Sequence, residues 1–299
     1  MIGLTPEGPR ITNFLSIDVE DYFHVSAFEQ VSPPASWGSR ELRVEGNTER
    51  VLTILDATGV KATFFVLGWV AERCPQLVKR IASGGHEVGS HGYGHQRVGL
   101  LSQEEFRQDI RSSKAHLEDL TGCEVLGYRA PSYSISRKTP WAFDELYAAG
   151  YRYDSSIFPI QHDFYGMPDW PRFAGSTVKT ADGSWQPGES SIGEPTLVEL
   201  PITTVQIGGK NLPIAGGGYF RLFPYPLTRL GLQRINHTEG KPFVFYLHPW
   251  EFDPAQPRME GAGLKSRFRH YLNLNKTEGR FRRLVSDFSF GPICEGLQL

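Results

Sequence analysis

Short apolar runs rich in β-formers alternate, over the first 155 residues, with segments whose apolar positions recur every three or four residues. ITNFLSID reads as a buried strand ending at Asp18, and KATFFVLG as a second. Between them, NTERVLTILDAT (47–58) has a helical period, with Asn47 as its cap and Gly59 as its stop. A helix through CPQLVKRIA stops at Gly84 and Gly85, and HEVGSH is short and strand-like. Ser102 and Glu105 have the spacing of a capping box for a helix running to about Leu120. EVLGYRAP, a helix near PWAFDELYAAG, and YRYDSS continue the alternation. Strand, helix, strand in repetition predicts an α/β fold of parallel strands with helices outside.

The pattern changes at about residue 156. Residues 156–240 are rich in Gly, Pro, Trp and Ser around one clear strand, TLVELPIT, and read as long loops with hairpins over one face of the sheet. KPFVFYLHP is a strong late strand ending at His248. From about Gly263 the chain is basic and amphipathic (KSRFRHYLNLNKTEGRFRRL), which predicts helix and a terminal segment. The chain therefore reads as a single domain over 1–299, with a loop-rich insertion near 156–240 and a helical extension from about 251.

Composition narrows this picture. Acid and base nearly balance at a formal charge of −2, which gives no nucleic-acid signature. Three cysteines, widely spaced and without a C-x-x-C pair, argue against a disulfide framework or a thiolate zinc site. With no secretory pattern in MIGLTPEGPRITNFLSIDVE, they point to a cytoplasmic setting. No apolar run approaches the roughly 20 residues of a membrane span. The basic stretch 265–284 reads as a solvated helix face, with peripheral contact to an anionic membrane or lipid-linked glycan as the alternative. Oligomeric state has no signal in the sequence.

Titratable residues fall at the carboxyl ends of several predicted strands, where parallel α/β folds build their sites: Asp18, His91, Arg129, Asp154 and His248. In SIDVED, strand alternation puts Asp18 and Glu20 on one face, with Asp21 just beyond. A lone D-x-E is usually a solvated turn; here it offers one carboxylate as metal ligand and another as general base. SHGYGH sets His91 and His95 four apart, and its glycines allow turns that aim both rings inward. Two histidines and one carboxylate form a three-ligand set for catalytic zinc that leaves a position for water. The helix-borne H-E-x-x-H motif is absent, since Gly92 occupies its Glu position. Arg129 in GYRAPSYSI is placed to orient a carboxylate. A lone His248 in FYLHP is more often a core residue, but Asp154 has the chemistry to hydrogen-bond it and keep it protonated.

SIDVED, SHGYGH, RAPSY, YDSS and YLH, in that order over residues 14 to 250, resemble the five motifs of the NodB-homology polysaccharide deacetylases, carbohydrate esterase family 4. SIDVEDYFHV, RAPSYSI, DFYGMPDWPR and GGGYFRLFPY resemble in addition the subfamily of exosortase/PEP-CTERM exopolysaccharide loci. The resemblance implies a distorted (β/α) barrel of about seven strands, a divalent metal (zinc above all), and an N-acetylated glycan as substrate. It implies Asp18 as general base paired with Arg129, His91 and His95 as ligands, and His248 as general acid tuned by Asp154. The family's usual adjacent aspartates are replaced here, leaving Glu20 or Asp21 as third ligand, with alternation favouring Glu20. Ser132 follows Pro131 where the family has an aromatic, so a Ser132 N–H is the expected oxyanion donor and Tyr133 carries the displaced aromatic wall. Tyr246 stands at the family's Leu beside the acyl group. Trp170, Trp185, Tyr219 and Phe220 are candidates for stacking on sugar rings, with hydrophobic packing of the loops an equal alternative for each. Rival readings are an O-acetyl esterase, a cyclic amide or ureide hydrolase on the same barrel, and a non-catalytic glycan-binding protein.

Overall fold

Strand β1 (Thr12–Val19) is buried at every position after its first and has a parallel strand paired to it on each side. Such a run, apolar on both faces, suits a parallel strand covered on both sides. The computed structural model describes residues 11–162, 165–189 and 193–299. Residues 1–10, on which part of the leader-peptide expectation falls, and the first two of DFYGMPDWPR lie outside them.

In chain order β1 is followed by α1 (Val44–Thr58), β2 (Thr63–Val66), α2 (Gly68–Arg73), α3 (Pro75–Ser83) and β3 (Glu87–Ser90). Then come α4 (Gln103–Thr121), β4 (Gly127–Tyr128), α5 (Trp141–Ala148) and β5 (Tyr153–Asp154). The capping box is formed as expected: Ser102 accepts from the Glu105 N–H while Glu105 reaches back to Ser102. The start of α1 is not. The helix begins at Val44, and Asn47 lies inside it, donating to Asp253. The cap comes from outside the helix: Asp21 Oδ2 accepts the N–H groups of Arg43 (2.6 Å) and Val44 (2.8 Å). A cap supplied from 22 residues away leaves no local signal.

The middle region holds more than hairpins. β6 (Gly175–Lys179) and β7 (Trp185–Pro187) extend the sheet antiparallel at the edge of β8 (Thr196–Glu199) rather than covering a face. A separate hairpin, β9 (Thr204–Ile207) with β10 (Lys210–Pro213), precedes two helices, α6 (Gly217–Leu222) and α7 (Tyr225–His237). The sequence reading missed these helices. α7 buries Tyr225, Thr228, Leu232 and Ile235 at helical spacing, and Pro226 sits in its first turn, where proline costs no hydrogen bond. The chain closes with β11 (Val244–Leu247), α8 (Leu264–Tyr271), α9 (Leu274–Asp287), β12 (Ser289–Gly291) and α10 (Ile293–Leu297).

Seven strands run parallel in the order β11-β1-β2-β3-β4-β5-β8, with β12 as a short extra partner of β1. The two ends of that order are tied by a side chain: Thr203 Oγ1, just past β8, accepts the Val244 N–H of β11 at 2.7 Å. His91, Arg129 and His248 each occupy the first position after a strand, and Glu20 the first after β1, so one end of the sheet gathers them. No helix among the described residues is long and apolar enough to cross a membrane.

Candidate active site

A cavity of about 610 Å³ opens at that end, lined by Asp18, Glu20, His91, His95, Ser132, Tyr133, Tyr246 and His248. Asp18 is the last residue but one of β1 and is almost fully buried. Its Oδ1 accepts from Arg129 Nη1 at 2.7 Å, and Oδ2 faces His248 Nε2 at 3.9 Å. Arg129 is completely buried, so its charge needs partners on every side. Ser16 Oγ accepts from Nη1 (2.7 Å), the Ser155 carbonyl from Nε (3.1 Å) and Ser155 Oγ from Nη2 (2.9 Å). The Phe65 ring lies 4.2 Å beneath the guanidinium.

The chain reverses at Val19, where the Glu20 N–H donates to the Asp18 carbonyl at 3.0 Å. This tight turn keeps Glu20 over the same cavity as Asp18. Ligand atoms of Glu20, His91 and His95 lie within 4.8 Å of one another, all three residues buried. Glu20 Oε2 and His95 Nε2 are 2.6 Å apart, and Trp250 Nε1 donates to Glu20 Oε1 at 3.0 Å. His91 Nδ1 is 2.8 Å from the Arg129 carbonyl, which can only accept, so Nδ1 carries the proton and Nε2 keeps its lone pair. Two imidazoles and a carboxylate converging in a buried pocket fit a divalent cation. Asp21 stays outside this set, because its carboxylate takes the N–H groups of Tyr22, Arg43 and Val44.

The loop carrying the histidines is held from α4. Asp109 accepts from the N–H groups of Tyr93 (2.8 Å) and Gly94 (3.1 Å), a contact the sequence did not suggest. Gly92 has φ +72°, and a side chain there would sit 2.7 Å from Asp109 Oδ2, so glycine alone fits.

His248 does not bond Asp154. Its Nδ1 lies 2.8 Å from Glu251 Oε1, which also accepts the His248 N–H at 3.0 Å. Sequence reasoning missed Glu251, although its spacing from His248 is that of a capping box. Burial alone would lower the His248 pKa, but the Glu20 and Glu251 carboxylates outweigh it and push it up to about 9. Asp154 instead holds the backbone just after Arg129: it accepts from Ser156 Oγ, which in turn takes the Ala130 N–H at 2.7 Å.

Asp154 also faces Glu199 in a fully buried pair. Burial raises both carboxyls, Asp154 to about 6 and Glu199 well above 4.5, and the second carboxyl adds to the rise at Glu199. The folded chain thus keeps a proton that the unfolded chain releases near pH 4.5, and stability falls as pH rises through and above that value. Glu199→Gln retains a hydrogen-bond donor toward Asp154 without needing that proton. Its melting temperature should gain on the parent's between pH 5 and 8, by an amount equivalent to about 1 kcal/mol or more. An equal change in melting temperature for both proteins between those pH values would refute the shared proton.

Ser132 and Tyr133 follow one another with φ of 55° and 53°, a left-handed pair costing on the order of 1 kcal/mol or more per residue outside glycine. Ser132 Oγ meets Ser26 Oγ at 2.6 Å, which ties this turn to the segment after β1. The Tyr133 ring packs 5.1 Å from that of Tyr246 and 5.9 Å from Tyr165, so the aromatic wall is rebuilt from three tyrosines. Tyr246 has room because a side chain on Gly217 (φ +50°) would lie 2.7 Å from its hydroxyl. Trp170, Trp185 and Phe220 are buried in the main hydrophobic core and are not at hand for sugar stacking. Tyr219 is partly buried and hydrogen-bonds Tyr165 near the cavity.

Residues 36–153 match the polysaccharide deacetylase family model, and residues 155–298 match a domain of unknown function, DUF3473. The peptidoglycan-N-acetylglucosamine deacetylase of Bacillus cereus is 36% identical over 99 residues, which span 33% of this chain and 36% of that protein. The peptidoglycan deacetylase of Helicobacter pylori is 31% identical over 115 residues, 38% of each chain. The chain thus spans well under half the length of these curated relatives. Among solved structures, a Mycobacterium smegmatis chain described as a polysaccharide deacetylase superposes with a TM-score of 0.58 at 18% identity, covering 98% of this chain and 91% of its own. An allantoinase superposes at 0.56 and 16% identity, covering 96% and 88%. These two likenesses are of fold. Asp18 and Glu20 precede the first matched segment and His248 lies in the second, so the site draws on three stretches of chain.

Proposed function

Because the chain belongs to the polysaccharide deacetylases of the NodB-homology type, carbohydrate esterase family 4, we propose that it hydrolyses N-acetyl groups from hexosamine residues of a glycan. The observation that carries this reading is the placement of Asp18 Oδ2 and His248 Nε2, 3.9 Å apart, beside the Glu20–His91–His95 trio in one cavity. When bound by that trio, a divalent cation, zinc in our reading, supplies Lewis acidity toward the acetyl carbonyl and activates water.

The remaining work falls to the chain's own groups. Asp18, oriented through Oδ1 by Arg129, accepts the proton of the attacking water at Oδ2. Charge then develops on the former carbonyl oxygen, and the N–H of Ser132 is our candidate donor to it. His248, held through Nδ1, gives the Nε2 proton to the departing amine, without which the C–N bond does not break. Tyr133 and Tyr246 bound the space for the acetyl methyl. We take an exopolysaccharide or lipid-linked oligosaccharide, handled in the cytoplasm, as the setting, on the resemblance of SIDVEDYFHV and GGGYFRLFPY.

The test is acetate release from N-acetylglucosamine oligomers by the zinc-loaded full chain. Release that drops at least ~100-fold on chelation and returns with zinc is the expected result. A metal-loaded protein that binds the oligomer and frees no acetate would favour a glycan-binding role instead.

A further inference from the structure

We infer that Glu251 and Arg221, both within the segment of unknown function, are positioning residues that hold His248 and the cavity wall in one unit. This rests on the reading of His248 as the proton donor. Glu251 Oε1 takes both the backbone N–H and the ring Nδ1 of His248, a two-point hold that aims Nε2 between Asp18 (3.9 Å) and Glu20 (3.7 Å). Its other oxygen accepts from Arg221 Nε at 2.5 Å, and neither residue is more than 2% exposed.

Arg221 does not end there. Its Nη1 donates to the carbonyls of Arg269 (3.2 Å), His270 (2.7 Å) and Leu272 (2.9 Å), at the C-terminal end of α8. A cation at that end suits the helix dipole. On the same helix, Lys265, Ser266 and Arg269 line the cavity. The guanidinium also lies 5.2 Å over Trp250, whose indole N–H holds Glu20. One buried cation thus joins the wall helix, the carboxylate behind His248 and the tryptophan behind Glu20. A buried ion pair is a costly way merely to fill a core, since apolar residues of the same volume do so as well or better. The carboxylate's second attachment, to a histidine aimed at Asp18, is what that cost supports.

The experiment compares Glu251→Gln, nearly isosteric, and Arg221→Gln in the zinc-loaded full chain, on N-acetylglucosamine oligomers and on 4-nitrophenyl acetate. The phenolate departs without needing a proton. In Glu251→Gln the single amide oxygen cannot serve both sides: the NH2 faces either the two His248 donors or the Arg221 Nε–H, and the negative charge that holds both is gone. There kcat on the amide should fall ~100-fold with KM within about threefold, and the loss on the ester should be at least tenfold smaller. Metal content should equal the parent's. Arg221→Gln should raise KM as well, because α8 moves with it. Should Arg221→Gln not fold, Glu251→Gln decides alone. Amide turnover within threefold of the parent, or equal losses on amide and ester, overturns the inference. If the parent frees no acetate, the proposed function is at fault. A crystal structure of Glu251→Gln then decides positioning: a His248 ring that keeps its orientation refutes it, and one that swings away supports it.

Discussion

Asp18→Asn is expected to lower acetate release by ~10³-fold or more while metal content stays at the parent's value. The carboxamide keeps the shape of the side chain and an acceptor for Arg129, but cannot take a proton from water. The ligand trio of Glu20, His91 and His95 is untouched, which separates loss of the base from loss of the cation. Stability carries part of the cost, because Arg129 is fully buried and loses its charged partner. Breaking a buried pair costs about 3–5 kcal/mol in the worst case. Ser16 Oγ, the Ser155 carbonyl and Ser155 Oγ remain as acceptors around Arg129, so the folded state should persist with a lower melting temperature. Acetate release within tenfold of the parent, from a folded and metal-loaded Asp18→Asn, would remove Asp18 as the base.

The same residues show how far sequence reading reaches. Asp18, His91, Arg129 and His248 were legible because each ends an apolar run, and the carboxyl ends of parallel strands meet at one end of the sheet. Their convergence follows from the strand–helix alternation that makes the strands parallel. The choice between Glu20 and Asp21 does not, since it depends on where α1 begins and on Asp21 being spent on the N–H groups of Arg43 and Val44. Asp154 went to the wrong partner for a related reason. The resemblance paired it with His248, but Glu251 takes the His248 Nδ1, and the Asp154 carboxylate turns to Ser156 and Glu199. Glu251 stands only three residues from His248, yet histidine is not among the usual capping residues, so the H-P-W-E spacing carried no signal that this carboxylate turns back onto the His248 N–H and ring. For the tryptophans of the middle region sugar stacking and packing within the loops were both open, and packing holds: Trp170 stacks on Phe143 and Trp185 donates to Asp144.

His91→Ala is expected to abolish stoichiometric metal binding. The parent, loaded and passed through gel filtration, should retain close to one divalent ion per chain by elemental analysis, and the variant close to none. His91 is suited to the ligand role by two independent features. The Arg129 carbonyl fixes its proton on Nδ1, and burial lowers its pKa to about 4, so Nε2 is unprotonated and available at neutral pH. Removing a partner of a ligand typically costs about 10–100-fold in affinity, and removing one of three ligands outright should cost at least ~100-fold. Asp21→Asn provides the contrast: it should keep its metal and lose stability instead, by roughly 0.5–2 kcal/mol for a weakened helix cap. Retention of a full complement of metal by His91→Ala, or its loss from Asp21→Asn in a folded chain, would mean that the cation sits on a different set of side chains. The roles of Asp18 and His248 would then have to be redrawn around it.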